Sequence, residues 1–130
     1  MISGGAKLKK ETADVLYKWG FTILEGYGLT ETSPVITFNQ PHNFEFGSVG
    51  KPIPGVTVKI NEAGKNGIGE ILVKGDNLTP GYYREEELTA RALKDGWFYT
   101  NDLGYFDKKG FLHITGRKNE IIILASGKNV

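Results

Sequence analysis

Residues 56–60, Val-Thr-Val-Lys-Ile, alternate apolar and polar side chains, as a strand with one buried face does. A segment with three glycines follows at 61–69, and then comes the apolar run Ile71-Leu72-Val73. Two such runs separated by a glycine-containing loop are typical of a β-hairpin. This hairpin decides the fold class, because short strands dominate the chain from residue 56 onward.

Further strands and one short helix are predicted after the hairpin. About two helical turns are predicted over 85–93. The segment Asp107-Lys108-Lys109-Gly110 has the composition of a tight turn. The strand candidates are 97–99, 105–106, 111–114 and 121–124. We therefore predict an α+β, mainly β protein, whose larger part is a distorted β-barrel or curled sheet.

The residues before the hairpin have a different character. One stripe of a predicted helix carries Leu8, Thr12, Val15, Leu16 and Trp19. Gly20 would end this helix, and 21–24 is interpreted as a short buried strand. A helix followed by an apolar strand is typical of an α/β unit. We predict a helix–strand remnant of an α/β subdomain, either loosely packed or covered by a second copy of the chain.

Composition narrows the class of protein. The chain has 130 residues, with 16 Lys and Arg against 15 Asp and Glu, for a net charge of +1. This balance argues against a nucleic-acid partner. The absence of cysteine excludes disulfides and thiolate metal sites. No targeting segment or long apolar run is visible, so a cytoplasmic protein is expected.

The glycine content, 18 residues, is about twice the usual share of roughly 7%. Two of these glycines lie in residues 26–32, Gly-Tyr-Gly-Leu-Thr-Glu-Thr, where backbone could approach a ligand closely. Tyr27 offers a face to a flat ring, Thr30 a hydroxyl, and Glu31 a hard oxygen for Mg²⁺. The alternative interpretation is a mobile loop with a capping threonine.

Two other segments carry candidate binding residues. Asp102, in a predicted turn at 99–104, could accept two ribose hydroxyls, or else form an Asx turn. Arg117, in 116–120, could contact phosphate or ribose oxygens, or else belong to a solvated charged turn. The segment 69–82 is interpreted as structural, with Tyr82 as a packing residue.

In combination, these segments resemble the adenylate-forming superfamily of acyl-CoA synthetases, adenylation domains and luciferases. The resemblance covers essentially the whole chain. It rests on motifs in the family's order and spacing at 3–6, 27–31, 69–81, 100–102 and 116–117. Three other segments, 32–35, 47–55 and 123–130, are most similar to bacterial long-chain fatty-acid–CoA ligases.

The resemblance implies a nucleotide site for ATP or AMP. Its residues would be Gly5, Ala6, Gly26, Tyr27, Gly28, Asp102 and Arg117. Gly5 and Ala6 resemble the segment at the edge of adenine, and Tyr27 resembles the residue that stacks on it. Asp102 resembles the acceptor of ribose hydroxyls, and Arg117 the arginine that contacts ribose and phosphate.

The resemblance also implies catalytic and hinge residues. Thr30 would contact phosphate, and Glu31 would associate with Mg²⁺. Asn119 lies at the family's hinge, about which a C-terminal domain rotates, although the family usually has Asp or Lys there. Asn101 replaces the family's Gly before Asp102. Because Asn tolerates a positive φ, the turn is expected to survive.

The implied reaction has two steps. A carboxylate and MgATP give an acyl-adenylate and pyrophosphate, and the coenzyme A thiol then displaces AMP. The implied divisions are 1–38 (α/β piece), 39–116 (barrel) and 117–130 (hinge and start of the C-terminal domain). The family's phosphate loop and catalytic lysine are not in this sequence. We therefore expect a fragment of a fatty-acid–CoA ligase that is inactive alone.

Partners and alternatives follow from the same resemblance. The parent would use a fatty acid, ATP and coenzyme A, with Mg²⁺, and only the parent could contact a membrane surface. Self-association of the chain is open. One alternative is a piece of an amino-acid adenylation domain. The other is a free-standing β module that binds nucleotides.

Overall fold

The computed structural model describes residues 1–6 and 8–120. Within them, α1 (Lys10–Lys18) and α2 (Glu86–Ala92) are helices, and Thr30–Thr32 and Lys118–Glu120 form 3₁₀ turns. The strands are β1 Ile2–Ser3, β2 Leu24–Tyr27, β3 Thr37–Phe38, β4 Lys51–Pro52, β5 Val56–Asn61, β6 Gly69–Gly75, β7 Leu93–Lys94, β8 Trp97–Phe106 and β9 Leu112–Arg117. The mainly β class is confirmed.

The larger sheet is built on the predicted hairpin. Strands β5 and β6 pair antiparallel from Val56 opposite Gly75 to Asn61 opposite Glu70, which confirms the hairpin. The order in this sheet is β5-β6-β8-β7, with β9 also paired to β8. The ten-residue β8 is therefore the strand that joins the others. The predicted turn at 107–110 connects β8 to β9, and Asp107 Oδ1 accepts the backbone N–H groups of Lys109 and Phe111 at 2.9 and 3.0 Å.

The smaller sheet has the order β1-β2-β3-β4, with β1 parallel to β2 and the other pairs antiparallel. The strand predicted at 21–24 lies instead at Leu24–Tyr27, so this prediction was displaced by three residues. The cause is the end of α1. Gly20 has φ +85°, and Phe21 N donates to Leu16 O at 3.1 Å. These two residues therefore form a Schellman-type cap of the helix, and Phe21 does not begin a strand.

The two sheets share a core and a backbone seam. Ile71, Val73 and Leu112 of the larger sheet and Ile36, directly before β3 of the smaller sheet, form the buried cluster. At the seam, Val49 N donates to Leu112 O and Leu112 N donates to Gly50 O, each at 2.8 Å. Hydrogen bonds between two sheets fix their relative position more narrowly than apolar contact alone, because they are directional.

The apolar stripe of α1 is largely uncovered. Ala13, which is not part of the predicted stripe, is the only buried residue of α1 among those described. On the stripe, Val15 is 46% exposed, and Trp19, which follows the helix, is 72% exposed. The exposed residues fit both alternatives of the expectation, a loosely packed remnant and one covered by a second copy of the chain, and both stay predictions. The division at residues 38 and 39 stays a prediction, although hydrogen bonding continues the smaller sheet to Lys51–Pro52. The strand predicted at 121–124 lies outside the described residues. No described helix is long and apolar enough to cross a membrane.

Gly50 allows a direct test of the seam. Its φ is +90°, and a Cβ there would lie 2.1 Å from the carbonyl carbon of Phe38. Gly47 has a similar φ of +80° but has no atom within 4 Å of its Cβ position. Gly47→Ala should cost about 1 kcal/mol of unfolding free energy through backbone strain. Gly50→Ala should cost at least about 3 kcal/mol, because overlap adds to strain. Urea unfolding measures both, and equal losses would contradict the role of Gly50.

The exposure of α1 predicts uneven hydrogen exchange. The amides of residues 10–18 should exchange at least about tenfold faster than those of 69–75, because few buried apolar contacts hold the helix. Amide exchange followed by NMR measures this, with sedimentation run on the same sample to establish the oligomeric state. Equal protection of the two segments in a proven monomer would contradict the prediction.

Candidate functional site

A cleft of about 940 Å³ opens between the two sheets. Its size lies within the range of about 300–1,000 Å³ that is usual for small-molecule sites. All seven residues predicted to bind the nucleotide line it: Gly5, Ala6, Gly26, Tyr27, Gly28, Asp102 and Arg117. They come from the two ends of the chain, so the fold brings together what the sequence separates. Their assignment to a nucleotide stays a prediction.

The centre of the cleft is a carboxylate held from two sides. Tyr27 OH on β2 donates to Asp102 Oδ2 at 2.5 Å, and Arg117 Nε on β9 donates to Asp102 Oδ1 at 2.9 Å. Asp102 on β8 is only 4% exposed. The hydroxyl of Tyr27 therefore has a structural partner, which the sequence analysis did not foresee when it assigned only the ring a role.

The protonation states follow from these contacts. Burial, together with the hydrogen bond to Asp102, raises the pKa of Tyr27 well above its ordinary value, so the phenol stays neutral and donates. The hydrogen bond to Asp102 and its negative charge raise the pKa of Arg117, which stays cationic. The cleft thus combines a fixed cation with a carboxylate beside it, a pattern suited to a ligand with both hydroxyls and anionic groups.

A β-bulge aims Asp102 into the cleft. Leu72 pairs with Tyr99 and Glu70 with Leu103, so three residues of β8, 100–102, face one residue of β6. The prediction that this motif is a turn between strands was therefore wrong, because it lies inside β8. Asn101 does adopt the positive φ that Asn was expected to tolerate, at +60°, but inside the bulge of a strand and not in the expected turn.

The side chain of Thr100 closes this bulge. Its hydroxyl donates to Ile71 O at 2.8 Å and accepts the N–H of Asp102 at 3.1 Å. Thr100 is 7% exposed, so these bonds are largely shielded from water. The Thr of the motif therefore acts on the backbone that carries Asp102.

The loop after β2 is held in place, which does not fit the alternative of a mobile loop. Thr32 is fully buried, and its Oγ1 accepts the N–H of Leu29 at 3.0 Å. Asn77 Nδ2 donates to Thr32 O at 2.7 Å and to Val35 O at 3.0 Å. The sequence analysis named a capping threonine as an alternative in this loop, and Thr32 has that local contact with Leu29. It missed Asn77, which no local signal identifies because its contact with Thr32 spans 45 residues.

Gly28 shows how closely this loop is packed. A Cβ at this position would lie 1.6 Å from the carbonyl oxygen of Pro34. No side chain fits there without a movement of the backbone. The glycine is therefore required for the close approach of two loop segments, and not for approach to a ligand alone.

The residues predicted to be catalytic lie beside this cleft and not in it. Glu31 and the predicted hinge residue Asn119 line a smaller adjacent cleft of about 320 Å³. Thr30 is exposed and lines neither cleft. Arg117 lines both clefts, so it connects the two groups of residues. The roles of Thr30, Glu31 and Asn119 stay predictions.

Tyr82 belongs to this smaller cleft, contrary to its interpretation as a packing residue. It is 37% exposed, and its hydroxyl donates to Glu31 Oε1 at 2.9 Å. Burial and this hydrogen bond raise the pKa of Tyr82. Thr79 N also donates to Glu31 O at 2.8 Å. The segment after β6 therefore orients Glu31, which the sequence could not indicate because the residues lie far apart.

The donor set at Glu31 is compatible with Mg²⁺. Its carboxylate has no Lys, Arg or His within ion-pair distance among residues 1–6 and 8–120. Those residues also contain no cluster of three or more acidic or histidine side chains that would form a complete metal cage. Mg²⁺ is commonly bound by one or two carboxylates together with substrate phosphates and water, so the carboxylate of Glu31, one oxygen of which accepts the hydroxyl of Tyr82, fits.

Comparisons with known proteins identify the family. The model of the family described as "AMP-binding enzyme" matches residues 1–83, and the chain belongs to this family. The long-chain-fatty-acid–CoA ligase FadD15 of Mycobacterium bovis is 47% identical over 129 residues, which are 99% of this chain and 21% of that protein. A 2-succinylbenzoate–CoA ligase of Bacillus cytotoxicus is 38% identical over 136 residues, 100% of this chain and 28% of that protein.

Solved structures give the same result for the fold. O-succinylbenzoate coenzyme A synthetase (MenE) from Bacillus subtilis, in complex with ATP and magnesium, superposes with a TM-score of 0.85 at 32% identity, over 99% of this chain and 28% of that one. Apo MatB from Rhodopseudomonas palustris superposes with a TM-score of 0.83 at 37% identity, over 100% of this chain and 27% of that one. The chain thus spans between 21% and 28% of the length of these relatives.

The bond between Tyr27 and Asp102 predicts a pH-dependent effect of Tyr27→Phe. Below about pH 9 the substitution should cost about 1.5–3 kcal/mol, since a bond to a charged acceptor is lost. The folded pKa of Tyr27 lies above its unfolded value of 10.0, so the wild-type chain loses this contribution as the pH rises above 10. The difference between wild type and Tyr27→Phe should therefore shrink by up to about 1.4 kcal/mol per pH unit.

Urea unfolding at a series of alkaline pH values measures this difference. Tyr83→Phe is the matched control, because Tyr83 is 84% exposed. A difference that stays constant from neutral to alkaline pH would show that the phenol of Tyr27 does not stay protonated in the folded chain.

Proposed function

We propose that this chain forms part of the nucleotide site of an ATP-dependent, AMP-forming acyl-CoA ligase whose carboxylate substrate is a long-chain fatty acid. The observation that supports this most directly is the cluster of Tyr27, Asp102 and Arg117 on one cleft. Three strands from two sheets converge there, and the residues match the family's motifs in order. The identity of 47% with a long-chain-fatty-acid–CoA ligase supports the choice of fatty acid.

The cleft suits the nucleoside half of ATP. Gly5 and Ala6 present backbone at one wall, where the edge of adenine would lie. Asp102 has two oxygens that each receive one hydrogen bond in this structure, so each retains a lone pair for a ribose hydroxyl. Arg117 donates to Asp102 through Nε, which leaves its terminal nitrogens to contact phosphate or ribose oxygens.

The chemistry would take place beside this site. In the reaction, a carboxylate oxygen attacks the α-phosphate of ATP, and pyrophosphate leaves; the thiol of coenzyme A then attacks the acyl carbon, and AMP leaves. Mg²⁺, when bound, would neutralise phosphate charge. Glu31 would hold that ion, and the hydroxyl of Tyr82 keeps the carboxylate of Glu31 oriented. Arg117, which lines both clefts, would stabilise the negative charge that develops on the phosphate.

The chain alone should bind AMP weakly and should not turn over ATP. Because the chain spans only 21% to 28% of the length of the relatives it matches, we expect an incomplete pocket and a Kd on the order of 1 mM. AMP should shift the NMR signals of Tyr27, Asp102 and Arg117, and Asp102→Asn should weaken binding about tenfold. With fatty acid, coenzyme A and MgATP, no AMP should form above background.

The control for Asp102→Asn is Asp76→Asn, which makes the same change of charge at an exposed residue outside both clefts. Shifts spread over the sheet surface, or equal binding by the two variants, would contradict the assignment of the nucleotide to this cleft. Shifts caused equally by a short oligonucleotide would support the free-standing module instead. Formation of AMP by the purified chain would contradict its inactivity.

A further inference from the structure

We propose that Glu70 is a positioning residue of the nucleotide cleft, whose one carboxylate orients both Asp102 and Arg117. The proposal rests on the proposed function, because it assigns a role toward the same cleft. Glu70 lines neither cleft and belongs to the segment that the sequence analysis treated as structural. Its contacts nevertheless reach the neighbours of both residues.

The two oxygens of Glu70 contact two different strands. Oε1 accepts the backbone N–H of Asn101 on β8 at 3.2 Å, and Oε2 accepts Lys118 Nζ, directly after β9, at 2.9 Å. Asn101 precedes Asp102, and Lys118 follows Arg117. One carboxylate on β6 is thus bonded to the chain neighbours of both members of the Asp102–Arg117 pair.

The bulge explains why a side chain is needed at Asn101. The two extra residues of β8 have no Cα partners on β6, because the register passes from Tyr99 to Leu103. A bulged residue leaves the regular ladder, so its N–H needs another acceptor. Glu70 supplies that acceptor from the neighbouring strand. This bond holds Asn101 at its φ of +60°, the conformation from which Asp102 points to the cleft.

The second contact satisfies the charge of Glu70. Glu70 is 5% exposed, and a buried carboxylate without a cation is costly. Lys118 provides the cation, and the hydrogen bond and charge of Glu70 raise the pKa of Lys118. Because Lys118 and Arg117 are consecutive, anchoring the Lys118 side chain restricts the backbone that presents Arg117. The two contacts therefore act on the same ion pair from opposite sides.

A purely structural role for Glu70 predicts different results. In that case its loss would lower stability and leave the geometry of the cleft unchanged. The positioning role predicts a change at Arg117 and Asp102 that does not follow from the loss of stability. Two variants separate the contacts: Glu70→Gln keeps an oxygen for Asn101 but removes the charge, and Lys118→Met removes only the ion pair at a side chain that is 49% exposed.

The first measurement does not need a nucleotide. The Nε–H signal of Arg117 in a ¹H–¹⁵N spectrum reports its hydrogen bond to Asp102, and Asp102→Asn gives the position of the signal when that bond is weakened. In Glu70→Gln and in Lys118→Met, this signal should shift toward the Asp102→Asn position, with hydrogen exchange about fivefold faster. The amide of Asn101 should stay near its wild-type shift in Lys118→Met and move in Glu70→Leu, which removes both contacts.

The second measurement is AMP affinity. Glu70→Gln and Lys118→Met should each weaken binding about fivefold. Glu11→Gln and Lys65→Met are controls, as exposed residues outside both clefts. A variant that restores the cation, Lys118→Arg, should recover most of the affinity and the Arg117 signal. Thermal unfolding of every variant shows whether the changes follow stability.

Unchanged Arg117 signals in Glu70→Gln and Lys118→Met would overturn the proposal, whatever the loss of stability. If Glu70→Leu does not fold, the exposed Lys118→Met variant still decides the outcome. Failure of the wild-type chain to bind AMP would contradict the proposed function, whereas the Arg117 signal would still report on Glu70. The two failures are therefore distinguishable.

Discussion

The carboxylate of Asp102 is the contact on which the site depends. It receives Tyr27 from the smaller sheet and Arg117 from the larger one, so a single buried group joins both sheets at the floor of the cleft. A buried carboxylate must be paired and hydrogen-bonded, because the desolvated charge is otherwise unfavourable. The need to satisfy Asp102 therefore constrains the relative position of β2, β8 and β9, and the shape of the cleft follows from it.

Hydrogen bonds around Asp102 hold its side chain in the cleft. The bulge in β8 turns Asp102 out of the regular alternation, and Thr100 and Glu70 occupy the polar groups that the bulge leaves without ladder partners. On the other side, the loop after β2 is supported by Asn77 and by the buried Thr32, and the hydroxyl of Tyr27 reaches the carboxylate from there. Irregular backbone next to the site is thus stabilised by side-chain hydrogen bonds, from Thr32 and Thr100 within the motifs and from Glu70 and Asn77, which line neither cleft.

Much of the fold could be predicted because it follows from local pattern. The alternation in 56–60 and the loop at 61–69 identify the hairpin, since period-two patterning reports a half-buried strand directly. The end of α1 was harder to predict from the sequence. Residues 21–24 are apolar enough for a strand, but the cap at Gly20 uses the first of them, and Phe21 is 49% exposed. Local hydrophobicity cannot distinguish a residue that is buried from one that stays exposed.

By itself, the sequence determined the family, the mainly β class and seven of the residues that line the larger cleft, because short motifs and alternating patterns are carried by neighbouring residues. The tertiary structure alone decided which of these residues touch. Tyr27 and Asp102 are 75 positions apart, Tyr82 and Glu31 are 51 apart, and Lys118 and Glu70 are 48 apart. The contacts at Asp102 and Glu70 depend on strand register and on the bulge in β8, and the contact between Tyr82 and Glu31 depends on how the segment after β6 meets the loop after β2. Register is set by cooperative pairing across the whole sheet and by the satisfaction of buried polar groups.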